Sequence, residues 1–285
     1  MKSELLNIRP LVLDGAMGTM LQARGLPAGA APDLWNMERP EAVREIHGAY
    51  IQAGARMLLA NTFGCNAARQ KNGPHAVEAL VTAGIACARE AAGESALVAL
   101  DLGPLGVFLE PFGDLEPEEA EALFAEPIRA GADADCIVIE TMMDLSEAEA
   151  ALNAARRYGG GKPVACCFSF QPNGRLLTGA DAAEAFRRME EAGADAVGCN
   201  CGLGPEQLLE LLPALRAATS LPLIMKPNAG LPTVRDGATV YDMPPARFAE
   251  AMLRLFDAGV WALGGCCGTS PAHIEALAAA LRARA

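Results

Sequence analysis

Three cysteines in two glycine-rich segments are the residues best suited to chemistry. Cys266 and Cys267 are adjacent in GGCCGT (264–269), and Cys201 lies in GCNCG (198–202). Adjacent cysteines make a poor disulfide, because the ring that would join them is strained. Thiolates are good ligands for Zn²⁺, and three of them leave the fourth position open, as in catalytic zinc sites. The flanking glycines permit the sharp turn that two adjacent ligands need.

The spacing of these cysteines alone leaves other interpretations open. They do not form a C-x₂-C pair, so a redox pair or three unrelated buried thiols also fit the pattern. Cys199 lies two residues before Cys201 and is a further candidate, which we leave out of the site. Cys87, Cys136 and Cys166 lie inside apolar runs, where a cysteine is usually a small core residue.

The overall composition limits which cellular compartment and which classes of binding partner we expect. The chain has 285 residues, nine cysteines and a formal net charge of −12. An odd cysteine count without an export signal favours a reduced, cytoplasmic compartment over a disulfide framework. The N-terminal segment lacks the apolar core of a signal peptide, and no apolar run is long enough for a membrane span. The negative charge disfavours nucleic acid and anionic membranes as partners.

Short apolar runs alternate with helix-like segments along the whole chain. The runs are uniformly apolar, as expected of strands buried on both faces. They are LVLD (11–14), RMLLAN (56–61), ALVALD (96–101), CIVIE (136–140), PVACCFSF (163–170), DAVGCN (195–200), PLIMKP (222–227) and VWALGG (260–265). Helical patterns cover 40–53, 75–92, 117–130, 146–158, 181–192, 204–218, 244–258 and 271–284.

This alternation predicts the fold class. Eight βα units in a chain of this length indicate an α/β protein built as a closed (β/α)₈ barrel, the TIM barrel. An open doubly wound sheet has the same alternation and is the alternative. No linker or charge run divides the chain, so we expect one domain over residues 1–285.

A weak internal repeat supports the barrel. Four segments share a plan in which a helix ends, a glycine follows and a buried strand begins. The glycines are Gly54, Gly131, Gly193 and Gly259. We expect them to cap the helices that precede the second, fourth, sixth and eighth strands.

Polar side chains stand where most of the apolar runs end. In a barrel the active site forms at the C-terminal ends of the strands, so residues far apart in sequence meet on one face. These ends carry Asp14, Asn61, Thr62, Asp101, Glu140, Cys199 to Cys201, Asn228, Cys266 and Cys267. The sixth and eighth strands flank the seventh in such a barrel, so we expect the thiols of Cys201, Cys266 and Cys267 to converge.

Several motifs give the chain a family resemblance. They are LDGAMGT (13–19), NTFGCN (61–66), LTG (177–179), GCNCGLGPE (198–206), KPNAG (226–230) and GGCCGT (264–269). In this order they resemble the homocysteine S-methyltransferase family over essentially the whole chain. Within that family they are most similar to the N-terminal, homocysteine-binding domain of cobalamin-dependent methionine synthase. The resemblance implies a zinc-containing (β/α)₈ barrel that methylates homocysteine to methionine.

The resemblance assigns the metal ligands. It implies that Cys201, Cys266 and Cys267 bind Zn²⁺ and through it activate the sulfur of the substrate. It also implies that Asn228 fills the fourth zinc position before substrate arrives. An asparagine at that place also suits a turn before Gly230.

The resemblance assigns the substrate contacts as well. Glu140 would hold the homocysteine ammonium. Asp14, with the backbone N–H groups of Gly15 and Ala16, would frame the amino-acid end of the substrate. Each carboxylate has a structural alternative, because Asp14 could cap the loop after the first strand and Glu140 could form an ion pair within the barrel.

The methyl donor is less well specified. The synthase-like motifs favour methylcobalamin, yet the cobalamin-binding motif DxHxxG is absent, so another corrinoid-binding domain or protein would have to present the methyl group. S-methylmethionine or S-adenosylmethionine is the alternative donor. Betaine is less favoured, because Gly64 stands where betaine-dependent relatives carry a tyrosine.

Functions of other classes fit the sequence less well. A non-catalytic zinc- or thiol-binding sensor would keep the cysteines but would not need Glu140 and Asp14. A thiol redox protein would need C-x-x-C at a helix start, which the sequence lacks. We therefore expect an enzyme whose acceptor is homocysteine, with selenohomocysteine and related thiols as possible further acceptors.

Overall fold

The computed structural model describes residues 7–71, 73–235 and 238–284. The strands are β1 (Leu11–Val12), β2 (Met57–Leu59), β3 (Leu97–Leu102), β4 (Cys136–Met142), β5 (Val164–Phe168), β6 (Ala196–Asn200), β7 (Leu223–Lys226), β8 (Thr233–Arg235), β9 (Ala238–Val240) and β10 (Ala262–Leu263). The helices are α1 (Gly18–Gln22), α2 (Trp35–Glu38), α3 (Pro40–Ala53), α4 (Val77–Ala92), α5 (Pro117–Ala130), α6 (Leu145–Tyr158), α7 (Ala182–Glu191), α8 (Pro205–Ala218), α9 (Pro245–Asp257) and α10 (Pro271–Arg282). No helix within these ranges is long and apolar enough to cross a membrane.

Eight strands form one parallel sheet in the order β1-β10-β7-β6-β5-β4-β3-β2. The two outer strands of this order meet and close the ring. The Asp14 N–H donates to the Met57 carbonyl oxygen at 3.1 Å, and the Arg56 N–H donates to the Val12 carbonyl oxygen at 2.7 Å. The predicted (β/α)₈ barrel is therefore confirmed, and the alternative of an open doubly wound sheet is wrong.

Apolar side chains fill both faces of the sheet. One cluster lies inside the ring and comprises Leu11, Leu13, Met57, Leu59, Ala99, Cys136, Val138, Cys167, Ala196, Ile224, Trp261 and Ala262. A larger cluster joins the outer faces of the strands to the helices. This burial on two faces explains why the strand segments are uniformly apolar. The inner cluster leaves a cavity of only about 20 Å³, so this part of the barrel is a packed core.

The glycine repeat behaves as expected at three of its positions. Gly54, Gly193 and Gly259 have φ of 108°, 89° and 88°, the left-handed conformation of a glycine that ends a helix. Gly131 also follows a helix, but its φ is −82°. A Cβ there would lie 2.6 Å from Leu100 Cδ2. The glycine at this position therefore permits close packing of helix against strand rather than a left-handed turn.

Two features at the C-terminal end of the barrel were not predicted. The segment after β1 contains the short helices α1 and α2, and the segment after β7 forms an antiparallel hairpin of β8 and β9. These elements are too short to leave a periodic pattern in the sequence. All three residues of β8 are exposed, so this strand also lacks the apolar signal of the barrel strands.

Candidate active site

The C-terminal ends of the barrel strands surround an open cavity of about 250 Å³. Its lining includes Asp14, Gly15, Ala16, Asp33, Asn61, Asp101, Glu140, Thr141, Cys201, Lys226, Cys266 and Cys267. Seven of the eight residues predicted for the site are in this set. The eighth, Asn228, lies beside the thiols.

The thiol cluster consists of Cys201, Cys266 and Cys267. Their sulfur atoms lie within 4.8 Å of one another, and the Sγ atoms of Cys201 and Cys267 are 3.8 Å apart. Two sulfurs bound to one tetrahedral Zn²⁺, each at about 2.3 Å, are about 3.8 Å apart. The described part of the chain holds no other group of three metal-ligating side chains this close together. The geometry therefore fits one ion bound by three sulfurs.

The backbone at the end of β7 holds both cysteine loops in place. The Cys201 N–H donates to the Lys226 carbonyl oxygen at 3.2 Å. The Cys266 N–H donates to the Pro227 carbonyl oxygen at 2.8 Å. Because β7 lies between β6 and β10 in the ring, one segment can bond to the loops that follow both neighbours.

Left-handed backbone occurs in both cysteine loops. Cys201 has a φ of 56°, which is uncommon for a residue with a side chain and is typical of functional sites. Gly268, next to Cys267, has a φ of 78°, and a Cβ there would collide with Tyr241. Glycine is therefore needed after the paired cysteines on two independent grounds.

The thiols strongly influence one another's ionisation. Hydrogen bonds with Cys266 and Cys267 lower the pKa of the Cys201 thiol to about 3. The hydrogen bond with Cys201 raises the pKa of Cys267 to about 11. Three thiolates at this separation therefore require a bound cation, and a divalent metal ion deprotonates the thiols that it binds. The donor set fits Zn²⁺.

Asn228 fits the position of a fourth ligand. Its side chain is hydrogen-bonded to Cys201, and it is buried. Within the described ranges its Oδ1 atom has no hydrogen-bond partner, which is costly for a buried amide oxygen. The turn before Gly230, which was the other explanation for an asparagine at this position, is also present. The Gly230 N–H donates to the Asn228 carbonyl oxygen at 2.8 Å.

Sequence reasoning missed two neighbours of the thiols. Asn200 donates through Nδ2 to Thr141 Oγ1 at 2.7 Å and to Cys266 Sγ at 3.9 Å, so it ties β6 to the end of β4. Tyr241 follows the hairpin and interacts with Cys267. Burial of the tyrosine hydroxyl and the neighbouring Cys267 thiol raise the pKa of Tyr241. Asn200 stands beside a predicted ligand in the sequence, which could have indicated it. Tyr241 had no such signal.

A charge cluster of three carboxylates and one lysine lines the same cavity, namely Asp14, Asp101, Glu140 and Lys226. The Lys226 Nζ atom lies 3.2 Å from Glu140 Oε2 and 3.6 Å from Asp14 Oδ1. The second oxygen of Asp14 accepts from the Leu59 N–H at 2.8 Å. Glu140 thus forms an ion pair within the barrel, which the sequence analysis gave as the alternative to substrate binding. Asp14 links the end of β1 to β2. Lys226 was not predicted, because a lysine at a strand end does not reveal its partners.

Burial controls the charges of this cluster. It raises the pKa of Asp14 to about 6 despite the nearby Lys226 ammonium. Burial and the charge of Glu140 raise the pKa of Asp101 well above its ordinary range. Burial also disfavours the charged form of Lys226, but the surrounding carboxylates outweigh this and raise its pKa. Burial thus shifts two of the three acidic groups, Asp14 and Asp101, towards their neutral forms.

The loop after β1 is fastened to the loop after β10. The Ala16 N–H donates to Thr269 Oγ1 at 3.1 Å, and the Tyr50 hydroxyl donates to the Ala16 carbonyl oxygen at 2.7 Å. Gly15 packs so closely that a Cβ there would lie 2.7 Å from Thr269 Oγ1. The Ala16 N–H, predicted to frame the substrate, is therefore already hydrogen-bonded within the protein.

Two further positions bear on the sequence prediction. A Cβ at Gly64 would lie 2.7 Å from Asp33 Oδ1, so the glycine makes room for a carboxylate that lines the cavity. Cys199 is buried in the larger apolar cluster, and it takes no part in the thiol cluster, as expected.

Comparison with known proteins places the site in a family. The family model described as homocysteine S-methyltransferase matches residues 11–281. The chain belongs to the homocysteine S-methyltransferase family. Its solved relatives include the metallated form of the homocysteine methyltransferase MmuM from Escherichia coli, with a TM-score of 0.82 and 27% identity. That alignment covers 97% of this chain and 98% of the other.

Family members with longer chains are also similar. The methionine synthases of Mycobacterium tuberculosis (strain ATCC 25618 / H37Rv) and Mycobacterium leprae (strain TN) are 34% and 33% identical to it. Each alignment covers 98% of this chain but 25% of the synthase. The chain thus spans about a quarter of the length of these curated relatives.

Proposed function

We propose that the chain is a zinc-dependent methyltransferase that converts homocysteine to methionine, with methylcobalamin on another domain or protein as the donor. The observation that carries this proposal is the convergence of three thiols beside a cavity that also presents charged groups for an amino acid. The relatives named methionine synthase and the metallated homocysteine methyltransferase structure support it.

In this proposal, the site residues bind the metal, and the metal binds the sulfur of the substrate. Cys201, Cys266 and Cys267 would hold Zn²⁺, with Asn228 as a further ligand until substrate binds. Bound there, Zn²⁺ would convert a substrate thiol of pKa near 8.5 to its thiolate. At about pH 7 this raises the fraction of reactive thiolate roughly thirtyfold, which corresponds to about 2 kcal/mol. Positioning must supply most of the remaining acceleration, up to about 7–11 kcal/mol. The carbon–sulfur bond forms as the methyl–donor bond breaks, leaving methionine and demethylated donor.

The distribution of exposed apolar side chains supports a donor carried by a protein. Among the described residues, eight of the nine exposed large apolar side chains lie on segments that follow barrel strands, at the end of the barrel that holds the cavity. This mouth surface comprises Met37, Val107, Phe108, Phe112, Met143, Leu177, Leu231 and Val234. The ninth, Ile8, precedes β1 at the other end of the barrel. Concentrated exposed apolar groups are typical of partner-binding surfaces.

A small sulfonium donor, S-methylmethionine or S-adenosylmethionine, is the second candidate. The alignment with the homocysteine methyltransferase MmuM covers 98% of that chain, which supports a donor that reaches the cavity without a further domain. Betaine remains a weaker candidate.

We also propose a cytoplasmic location and one functional domain over residues 1–285. All nine cysteines are free, and the thiol cluster would oxidise outside a reducing compartment.

Methionine formation tests this function. Zinc-loaded protein is given homocysteine with methylcobalamin, S-methylmethionine, S-adenosylmethionine or betaine in parallel, and methionine is quantified by mass spectrometry. We expect turnover with methylcobalamin, lost in Cys266→Ser and retained in Cys87→Ser, whose thiol is buried away from the cavity. Turnover with a sulfonium alone would replace the donor and keep the transferase. Absence of methionine with every donor, including a methylated corrinoid protein, would contradict the proposal.

A further inference from the structure

The buried amide of Asn200 faces one sulfur of the thiol cluster. Its Nδ2 atom donates to Cys266 Sγ at 3.9 Å. Two further hydrogen bonds fix the amide, because Oδ1 accepts from the Thr141 N–H at 2.7 Å and Nδ2 donates to Thr141 Oγ1 at 2.7 Å. The Asn200 side chain has no exposed surface, so it cannot turn towards water. Cys266 therefore has a fixed, neutral hydrogen-bond donor.

The other two sulfurs of the cluster also have a neutral hydrogen-bond donor each. Cys201 is hydrogen-bonded to the Gly202 N–H, and Cys267 to the Tyr241 hydroxyl. The contact with Cys267 favours the protonated tyrosine and the ionised cysteine, so the hydroxyl is the donor. Close packing against Gly268 holds Tyr241 beside that cysteine.

These hydrogen-bond donors lie behind the sulfurs, outside the lining of the cavity. The three cysteines line the cavity, whereas Asn200, Gly202 and Tyr241 do not. A substrate sulfur that enters from the cavity therefore approaches the metal site on the face that these donors do not occupy. The protein sulfurs and the substrate sulfur thus differ in their surroundings.

This difference matters because every thiolate of the site is a nucleophile. The new carbon–sulfur bond could form at a cysteine instead of the substrate as the bond between methyl group and donor breaks. A methylated cysteine is an uncharged thioether that binds a cation less tightly, so this side reaction would damage the metal site. A hydrogen bond withdraws electron density from a thiolate and lowers its nucleophilicity, and such contacts tune metal ligands.

We propose that Asn200, Gly202 and Tyr241 shield the cysteine thiolates from methylation, so that the methyl group goes to the substrate sulfur. The inference rests on the proposed function for the bound metal and for the methyl donor. Asn200 and Tyr241 act through the cysteines and are positioning residues. They determine which sulfur is methylated, a property separate from substrate affinity.

The methylation rate of each cysteine in zinc-loaded protein tests the inference. Methyl iodide is supplied without homocysteine, and the initial rate of S-methylcysteine formation at each position is measured by peptide mass spectrometry. Tyr241→Phe removes the hydroxyl and keeps the ring that packs against Gly268. We expect methylation of Cys267 to become roughly tenfold faster, the order of one hydrogen bond to a charged group, with Cys201 and Cys266 unchanged.

Asn200→Asp makes the corresponding test at Cys266. The carboxylate keeps oxygen atoms for the N–H and the hydroxyl of Thr141 but offers no N–H to the sulfur. We expect faster methylation of Cys266 alone. Because the two variants act on different cysteines, a general loosening of the site cannot produce both patterns.

Tyr50→Phe is the matched control for the loss of a buried hydroxyl. The Tyr50 hydroxyl faces the Ala16 and Thr269 carbonyl oxygens, at 2.7 Å and 3.4 Å, rather than a sulfur. We expect its three methylation rates to equal those of the wild type, with zinc retained in every variant. Equal acceleration at all three cysteines, in Tyr50→Phe or in Tyr241→Phe, would overturn the shielding role.

The absorption spectrum of the cobalt(II)-substituted protein gives a second readout, which does not depend on the access of methyl iodide. A hydrogen bond lowers the energy of the sulfur lone pair, so its loss shifts the thiolate-to-cobalt charge-transfer band to lower energy. We expect this shift in Tyr241→Phe and Asn200→Asp but not in Tyr50→Phe. An unchanged band in both Tyr241→Phe and Asn200→Asp would overturn the inference.

The outcomes separate this inference from the proposed function. Methionine formation together with unchanged cysteine methylation in both variants would overturn the inference, while the methyltransferase stands. The expected methylation pattern in a protein that forms no methionine with any methyl donor would overturn the proposed function and leave the shielding contacts in place.

Discussion

At the scale of single residues, one of the two cysteines at the end of β6 belongs to the thiol cluster and the other does not. Cys199 and Cys201 are two residues apart, yet Cys199 is buried among apolar side chains and Cys201 faces the cavity. The left-handed φ of 56° at Cys201 turns the chain out of the strand. Position relative to that turn, rather than proximity in sequence, decides which sulfur can bind a metal.

This difference predicts the zinc content of two variants. Cys201→Ala should lose zinc during dialysis against a mild chelator, because two thiolates bind the ion more weakly than three. Cys199→Ala should keep one zinc per chain, since its sulfur lies outside the cluster. Metal analysis after dialysis measures both. Zinc loss in Cys199→Ala, with the fold intact, would show that the cluster is wrongly assigned.

Glu147 on α6 is a buried carboxylate outside the charge cluster. Its Oε1 atom accepts from the Leu105 N–H at 2.6 Å, and burial raises its pKa from 4.5 to about 7. The folded protein therefore binds this proton more tightly than the unfolded chain. Its contribution to stability is present below pH 4.5 and is lost as the pH rises to about 7, by up to about 3 kcal/mol.

Glu147→Gln should remove that pH dependence, because the amide keeps an oxygen for Leu105 and cannot ionise. Urea unfolding at about pH 5 and about pH 8 measures it. We expect the free energy of unfolding of the variant, relative to the wild type, to increase between the two pH values. Identical pH dependence of the two proteins would refute the raised pKa.

At the scale of elements, the contact of α5 with β3 depends on a missing side chain. Gly131 follows α5 with an ordinary negative φ, and any Cβ there would meet Leu100 at 2.6 Å. Gly48 lies inside α3, and a Cβ there would meet nothing within 4 Å. The same substitution should therefore have opposite effects at the two sites.

Gly131→Ala should lower the free energy of unfolding by about 1–3 kcal/mol through overpacking. Gly48→Ala should raise it by about 0.5–1 kcal/mol, because alanine is the better helix former. Urea unfolding of both variants under one condition checks the signs. Destabilisation by both substitutions would show that the space beside Gly48 in α3 is too small for a methyl group.

At the scale of the whole molecule, the barrel presents both the cavity and the mouth surface at one end. A donor carried on a protein must contact this end, whereas a small donor needs only the cavity. Phe112 and Val234 are 59% and 76% exposed and lie on segments that follow β3 and β7. They are suitable probes of a docking surface because their side chains contribute little to the core.

Phe112→Ser/Val234→Ser should slow methyl transfer from a methylated corrinoid protein and leave transfer from free methylcobalamin unchanged. Ile8→Ser, at the opposite end of the barrel, is the control and should affect neither reaction. Initial rates at subsaturating donor measure the effect. Equal slowing with both donors would argue against docking at this surface.

The sequence by itself determined the barrel and the identity of the thiols. Strands buried on two faces must be uniformly apolar, and the helices between them must carry one apolar face, so local composition reveals both. The regular order of a barrel then places Cys201 beside Cys266 and Cys267, because β6 and β10 flank β7. Thiol chemistry limits what such a group can bind.

Only the tertiary structure decided how the charged residues are paired. The partners of Lys226 lie on β4 and at the end of β1, far from it in sequence, and its distance to each determines whether it pairs or stays free. Asn200 and Tyr241 likewise acquire their roles from neighbours brought close by folding. Ion pairs and hydrogen bonds depend on separations of a few ångströms, which neither residue type nor spacing along the chain specifies.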